Sequence, residues 1–211
     1  MTTMTDEPKI FVVGLSRTGT LSLTRALKLL GIKAQHYPND PVTQRELKSG
    51  NYRLSILREY RALTDIPVAP FYAQFDELFP GSKFILTTRP TEEWLVSVEN
   101  HYRNYVEHHR DQFDDFISAC VYGTLHFSRQ RFAYVKELHE AACRSYFAGR
   151  PEQFMVLELG SGWDTLCPFL GCAVPAASFP HANQGLSGPA TAPPREGILR
   201  RMLGRARRRL G

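Results

Sequence analysis

The stretch 14–20 is the part of the chain whose residues are best suited to binding or catalysis. It is rich in Gly, Ser and Thr and includes Arg17 and Gly19. An apolar run precedes it, and leucines at helical spacing follow it as far as Gly31, a typical helix stop. A strand, a glycine turn and a helix N-terminus together bring backbone N–H groups and the positive end of a helix dipole to one point. The sequence therefore predicts an anion site here, and phosphate is the commonest ligand of such sites.

The spacing within this stretch excludes the common nucleotide-binding loops. Gly14 and Gly19 have the spacing of the G-x-x-x-x-G-K-[ST] loop, but Thr20 occupies the position of the lysine. Ser16 interrupts the G-x-G-x-x-G fingerprint of dinucleotide-binding proteins. The cation is instead Arg17, ahead of the second glycine. The loop therefore suits a phosphate-like group that is bound without the usual metal ion.

The run Arg17-Thr18-Gly19-Thr20 resembles the 5′-phosphosulfate-binding loop of the sulfotransferases, whose donor is 3′-phosphoadenosine 5′-phosphosulfate (PAPS). The resemblance implies that Arg17 and the backbone of the next three residues hold the 5′-phosphosulfate, and that Arg17 offsets charge on the departing group. Ser22 would add a hydroxyl contact, although an aromatic residue often stacks on the adenine at that position in the family. No metal is implied. The alternative is an ordinary strand-to-helix turn with a surface arginine.

A second strand that ends in an arginine extends the resemblance. Residues 83–88 are predicted to form a strand, Arg89 follows it, and Ser97 lies about two turns into the next helix. In the sulfotransferases this layout binds the 3′-phosphate, so the resemblance assigns that role to Arg89 and Ser97, since a guanidinium suits a phosphate dianion. The alternative for the arginine is a salt bridge with Glu92 or Glu93. The alternative for the serine is a solvent-facing helix position.

Asp65 lies at the end of a third predicted strand, residues 62–66. An acid–base residue, frequently His, commonly stands at the end of this strand in the family, so the resemblance assigns to Asp65 the general base that deprotonates the acceptor. A carboxylate is a weak base, but it suffices if the transferred group largely departs before the nucleophile bonds. His36, at the end of predicted strand 33–37, is the competing candidate. A structural Asp65 that caps the next helix or pairs with Arg61 is the alternative.

A helical insert rich in aromatic residues is predicted from about residue 95 to residue 148. Most of these aromatics are expected in the core, and a few are expected to line a pocket for the acceptor. His101, His108 and His109 lack the spacing of metal ligands, so a solvated helix face is expected for them.

The order of the elements predicts an α/β fold. Its predicted architecture is an open, mostly parallel sheet with helices on both faces, a three-layer sandwich like that of P-loop NTPases. A length of 211 residues, with 43% hydrophobic and 22% charged residues, fits one such globular domain. The resemblance covers about residues 9–184, and the domain is assigned to residues 1–184. The predicted strands cover residues 9–15, 33–37, 62–66, 83–88 and 153–158. The predicted helices cover residues 20–30, 41–48, 69–78, 91–108, 111–121, 126–148 and 163–170.

The C-terminal region differs in composition. Residues 185–197 are rich in Gly, Pro, Ala and Ser and are predicted to form a linker. Residues 198–211 are predicted to form a basic amphipathic tail, and residues 195–211 contain seven Arg and one Glu. Such a tail suits an anionic membrane surface or an acidic partner, and a solvated terminus is the alternative. Nucleic acid is not an expected partner.

The cysteines form no C-x-x-C pair, and the N-terminus has no apolar secretory segment. These features predict a reduced, cytoplasmic setting, with peripheral membrane association through the tail as an option. The apolar runs are also far shorter than a membrane span requires.

These observations favour an enzyme that transfers a sulfuryl group from PAPS to a hydroxyl or amine of a small-molecule or glycan acceptor, in line and with a general base. Two other functions stay open. One is a nucleotide or metabolite kinase with a variant P-loop, which a magnesium requirement would distinguish. The other is a non-catalytic binding module that retains the nucleotide fold and uses its tail for a membrane or an acidic partner.

Overall fold

A computed structural model of the protein describes residues 8–158 and 160–181. Its strands form one five-stranded sheet in the order β2-β3-β1-β4-β5, and every neighbouring pair is parallel. This confirms the predicted fold class. The carboxyl ends of the strands meet at one edge of such a sheet, where ligands of open α/β folds bind. The strands are β1 Ile10–Val12, β2 Ala34–His36, β3 Ala62–Thr64, β4 Lys83–Thr88 and β5 Phe154–Glu158.

Helices cover both faces of this sheet. Side chains on β1 alternate between the two faces, as strand geometry requires. Phe11 packs with Phe75 and Phe84 on one face, whereas Val12 packs with Leu27 on the other. The α-helices are α1 Thr20–Leu29, α2 Pro41–Lys48, α3 Tyr72–Leu78, α4 Thr91–His101, α5 Glu107–His109, α6 Gln112–Tyr122, α7 Arg129–Tyr146 and α8 Trp163–Leu170.

Two predicted helices differ from the structure. The helix predicted over residues 69–78 begins as a 3₁₀ turn, Ala69–Phe71, before α3. The helix predicted over residues 91–108 is not continuous, because α4 ends at His101 and a π-helical turn, Tyr102–Val106, follows. A π turn holds more residues than an α turn and therefore changes the direction in which the following side chains point.

A third apolar cluster packs the helices of the insert together and against Leu15, in the loop that follows β1. Trp94 and Val98 of α4 pack there with Tyr122 of α6 and Phe132 of α7, all of them buried. The Trp94 indole N–H also donates to the carbonyl oxygen of Ser16 over 2.8 Å. The insert is therefore tied directly to the loop that follows β1.

The predicted linker and basic tail, residues 185–197 and 198–211, lie outside the described residues. Within the described part of the chain, no helix combines the length and the apolar character needed to cross a membrane.

Candidate functional site

A cavity of about 390 Å³ opens at the carboxyl ends of β1, β2 and β3. The sheet contributes Arg17, His36 and Asp65 to its wall, and the helical insert contributes the opposite wall. The sequence-predicted loop and both candidate bases therefore face one space. The insert residues that line it include Val98, His101, Tyr102, Tyr105, Val106, His109, Ser118 and Tyr122.

Three residues at this edge of the sheet have left-handed backbone conformations although none is glycine. They are Arg17, Tyr37 and Asp65, with φ angles of 71°, 46° and 82°. Each follows a different one of the three adjacent strands, and all three line the cavity. Such conformations cost about 1–3 kcal/mol each, and they cluster at functional sites because the strain directs side chains.

The loop between β1 and α1 leaves backbone donors at the start of the helix. Gly19 is the N-cap residue with a φ of 106°, no side chain caps the helix, and its first turn has no acidic residue. Thr18 shapes the loop, because its hydroxyl and its N–H both donate to the carbonyl oxygen of Leu15. The first N–H groups of an α-helix have no partner within the helix. The donors available to an anion therefore begin at Gly19 and Thr20.

Arg17 projects from this loop beside α4. Its Nε donates to Oγ of Ser97 over 3.2 Å, so the serine is not a purely solvent-facing residue. Burial lowers the pKa of Arg17, the nearby Asp65 raises it, and Arg89 lowers it further. No carboxylate of a described residue lies within 4.0 Å of the Arg17 guanidinium. The arginine is therefore a partly buried cation without an ion-pair partner in this part of the chain.

Arg89 lies where β4 ends, beside the same loop. One terminal nitrogen is 3.2 Å from the Glu93 carboxylate, so the salt bridge that was the alternative for this arginine does form. The other donates to the carbonyl oxygen of Arg17 over 3.5 Å. Its buried Nε has no hydrogen-bond acceptor among the described residues. The salt bridge with Glu93 therefore occupies only one of the Arg89 nitrogens, and another faces the loop.

Asp65 and His36 are not competitors in the structure, because they form one pair. Oδ2 of Asp65 is 3.2 Å from Nε2 of His36, and Oδ1 accepts the N–H of Ile66 over 2.9 Å. Neither the predicted helix cap nor the pairing with Arg61 is among the contacts of Asp65. Burial raises the pKa of Asp65, while His36 and Arg17 oppose that shift. The carboxylate is thus a stronger base than an exposed aspartate.

The expectation of a solvated face was wrong for one histidine of the insert, His101, which is partly buried. His101 and His109 line the cavity, and Tyr105 stacks between them with centroid distances of 5.5 and 4.6 Å. Burial, and next the charge of Arg17, lowers the pKa of His101 to about 4. The three rings, each four residues from the next, stack across the π turn. His108 and His109 are exposed, as expected, although His109 also borders the cavity.

A small cleft lies on the other side of the loop, between α1 and the segment that follows β5. Gly19 borders both the cleft and the cavity. Ser22 and Phe179 face the cleft, and sequence reasoning assigned no ligand contact to Phe179. In residues 8–158 and 160–181, no group of three or more His, Cys, Asp or Glu side chains is arranged to hold a metal ion.

Two known proteins and one family model are similar to this chain. The chain is similar to Ava biosynthesis cluster protein M of Aspergillus versicolor, with 28% identity over 82% of this chain and 80% of that protein. Among solved structures, a sulfotransferase from Alicyclobacillus acidocaldarius aligns with a TM-score of 0.49 and 17% identity, over 79% of this chain and 82% of that one. Residues 9–187 match the family model of the sulfotransferase domain. The chain therefore belongs to the sulfotransferase domain family.

Proposed function

We propose that the protein transfers a sulfuryl group from PAPS to a hydroxyl or amine of a small-molecule or glycan acceptor. The observation that carries this proposal is the convergence of Arg17, Ser97 and Arg89 at the N-terminus of α1, where contacts of 3.2 and 3.5 Å join them. Two arginines beside an uncapped helix start form a site for more than one anionic group.

The residues present fit the two anionic ends of this donor. Arg17, Gly19, Thr20 and the hydroxyl of Ser22 would hold the 5′-phosphosulfate. Arg89 and Ser97 would hold the 3′-phosphate, and the buried Nε of Arg89, which lacks an acceptor among the described residues, suits that dianion. We assign the nucleoside to the surface along the narrow cleft beyond Gly19.

The acceptor would occupy the cavity, with its nucleophile near Asp65. The donor supplies an activated sulfuryl group, whose bond to the 5′-phosphate oxygen breaks as a bond to the acceptor forms. Asp65 takes the proton of the acceptor, and its raised pKa favours that role. Arg17 stabilises negative charge that develops on the departing oxygens, in a site where burial strengthens the interaction.

Calorimetric titration with 3′-phosphoadenosine 5′-phosphate (PAP) in the absence of metal tests the donor site. We expect the wild-type chain to bind PAP and Arg89→Ala to lose that binding, whereas Glu93→Gln should retain it. Glu93→Gln is the matched control because it breaks the same salt bridge from the acidic side. Absence of PAP binding, or a preference for ADP with magnesium, would contradict the proposal and favour the kinase alternative.

Turnover is the second test. The protein is incubated with PAPS and a panel of simple phenols, alcohols and amines, and release of PAP is measured together with the mass of the product. We expect at least one panel member to gain a sulfuryl group. PAP binding without any turnover of PAPS would instead support the non-catalytic binding module.

A further inference from the structure

A chain of hydrogen bonds runs from helix α1 to the candidate base. Oγ1 of Thr24 lies 2.7 Å from the carbonyl oxygen of Thr20 and 2.7 Å from Oγ1 of Thr64. Oγ1 of Thr64 lies 3.0 Å from Nδ1 of His36, whose Nε2 faces Asp65 at 3.2 Å. Both hydroxyl-bearing residues, Thr24 and Thr64, are buried. Water therefore does not reach the end of this hydrogen-bond chain that lies on α1.

The number of protons in this chain fixes the protonation of His36. Three contacts need a proton: Thr24 to the carbonyl oxygen of Thr20, Thr24 to Thr64, and Thr64 to Nδ1 of His36. A carbonyl oxygen only accepts, and each hydroxyl has one proton to donate, so the two threonines supply two protons. The third proton must therefore be on Nδ1. Any other assignment leaves two acceptor atoms facing each other at hydrogen-bonding distance.

The contact between His36 and Asp65 then needs a further proton. With Nδ1 protonated, Nε2 of a neutral imidazole would direct a lone pair at the carboxylate. One proton between the two groups removes this repulsion, and we place it on Nε2 because an imidazole is ordinarily a stronger base than a carboxylate. The pair therefore holds one proton more than a neutral imidazole beside a carboxylate.

We propose that Thr24 and Thr64 are positioning residues for the general base, because they keep His36 protonated on Nδ1 and so place a protonated imidazole beside Asp65. This inference rests on the proposed function in assigning the base to Asp65. In the transfer step, the acceptor oxygen bonds to sulfur, the bond from sulfur to the donor's 5′-phosphate oxygen breaks, and the acceptor proton passes to Asp65. Asp65 then holds this proton beside the protonated imidazole, and the proton returns to solvent after the product leaves.

Among the groups that face Asp65, His36 is the one whose charge the two threonines control. Arg17 of the loop after β1 is a second cation, and the nearby Ser16 side chain also lowers the pKa of Asp65. Tyr37, after β2, and Tyr122 of α6 are phenols whose pKa values are raised, mainly by burial and in part by the charge of Asp65. These phenols therefore stay neutral, so the charge state beside Asp65 depends on His36 and Arg17.

Nitrogen NMR of the full chain labelled with ¹⁵N-histidine tests the inference without requiring activity. His36→Gln identifies the His36 signals by their loss. At pH 7 we expect Nδ1 of His36 to be protonated in the wild-type chain. In Thr64→Val a methyl group replaces the acceptor, so the proton should leave Nδ1 and the neutral ring should donate from Nε2 to Asp65.

Thr24→Val tests the same inference from the other end of the chain. Thr64 then loses its acceptor on α1 and turns its hydroxyl proton toward Nδ1, which should again lose its own proton. Thr24→Ser retains the hydroxyl and should retain the wild-type signals. Thr43→Val is the matched control, because it removes another buried hydroxyl that bonds a carboxylate, that of Asp40, without contacting the pair.

The pH profile of kcat supplies the functional readout, with PAPS and the best acceptor of the panel. Replacing a protonated by a neutral imidazole raises the pKa of Asp65, because an opposite charge beside a carboxylate is lost. In Thr64→Val and Thr24→Val we therefore expect the midpoint of the acidic limb of the kcat–pH profile to move to higher pH by about one unit. It should not move in Thr24→Ser or Thr43→Val.

The outcomes separate this inference from the proposed function. Retention of the proton on Nδ1 in both valine variants would overturn the inference, whatever the enzyme does. If wild-type PAP binding fails while the nitrogen signals respond as expected, the donor assignment is wrong and the hydrogen-bond chain stands. If Thr64→Val does not fold, Thr24→Val carries the test, since it leaves β3 unaltered.

Discussion

Nε of Arg17 lies 3.2 Å from Oγ of Ser97, although 80 positions of sequence separate them. The arginine follows β1 and the serine is on α4, two turns beyond Arg89. The proposed sites for the 5′-phosphosulfate and for the 3′-phosphate therefore share a direct contact. A ligand that binds one of these side chains must alter the hydrogen bond to the other. The two proposed sites are therefore coupled.

Ser97→Ala tests this contact. The substitution removes the hydroxyl that accepts from Arg17 and that would donate to the 3′-phosphate. Hydrogen bonds to charged groups contribute about 1.5–3 kcal/mol, so we expect PAP to bind about tenfold more weakly or worse in calorimetry. Val96→Ala is the matched control, because that neighbouring residue is exposed and does not line the cavity. Equal PAP affinities in the two variants would contradict a ligand role for Ser97.

Asp65→Asn tests the base while keeping the backbone. Asn tolerates the left-handed conformation that Asp65 adopts, with its φ of 82°. A general base contributes about 10²–10⁴-fold, so we expect kcat with PAPS and the panel acceptor to fall at least about 100-fold. PAP affinity should be kept or increased, because a negative charge near Arg17 is removed. Undiminished turnover would mean that another group accepts the proton.

Much of this site was predictable from sequence because of the geometry of parallel sheets. The carboxyl ends of the strands meet at one edge, so polar residues that follow apolar runs must come together. The resemblance selected Arg17, Asp65 and Arg89, each of which follows a predicted strand, and the structure places them around the same edge of β1, β3 and β4. Their ligand-binding and catalytic roles stay predictions.

The parts that sequence did not predict depend on which strands pair and on how the insert packs over the cavity. His36 and Asp65 were alternatives in the sequence, since nothing in either strand shows that β2 and β3 are neighbours. The pairing register, with His36 opposite Thr64, brings them together. His101 was assigned to a solvated face because its spacing does not suit a metal ligand, and the local pattern does not show that the insert folds over the cavity.

Gly14→Ala tests the packing on which the loop depends. A Cβ at Gly14 would lie 1.9 Å from Oγ1 and 2.5 Å from the carbonyl oxygen of Thr87, so β1 and β4 would have to separate. We expect a loss of about 3 kcal/mol in the free energy of unfolding, at the upper end for overpacked cores. Urea denaturation measures the loss. Gly162→Ala is the control, since its Cβ would meet no atom within 4 Å, and an equal effect would contradict this explanation.

His101 should make the stability of the protein depend on acidity. Its pKa is lowered from 6.5 to about 4, first by burial and then by Arg17, so the folded chain holds this ring neutral. Between these two values the unfolded chain binds more protons than the folded one, and stability must fall as pH decreases. We expect a loss on the order of 2 kcal/mol from this group across the window, measured by urea denaturation at pH 7 and pH 4.5.

His101→Phe keeps a ring that can stack on Tyr105 but cannot titrate, so it should reduce this acid-dependent loss. Part of the loss should persist, because burial also lowers the pKa of His139. His108→Gln is the control, since that side chain is exposed and does not line the cavity. An unchanged difference between the two pH values in His101→Phe would show that the ring is not held neutral beside Arg17. A neutral His101 also leaves Arg17 as the cation that an incoming sulfuryl group meets on this side of the cavity.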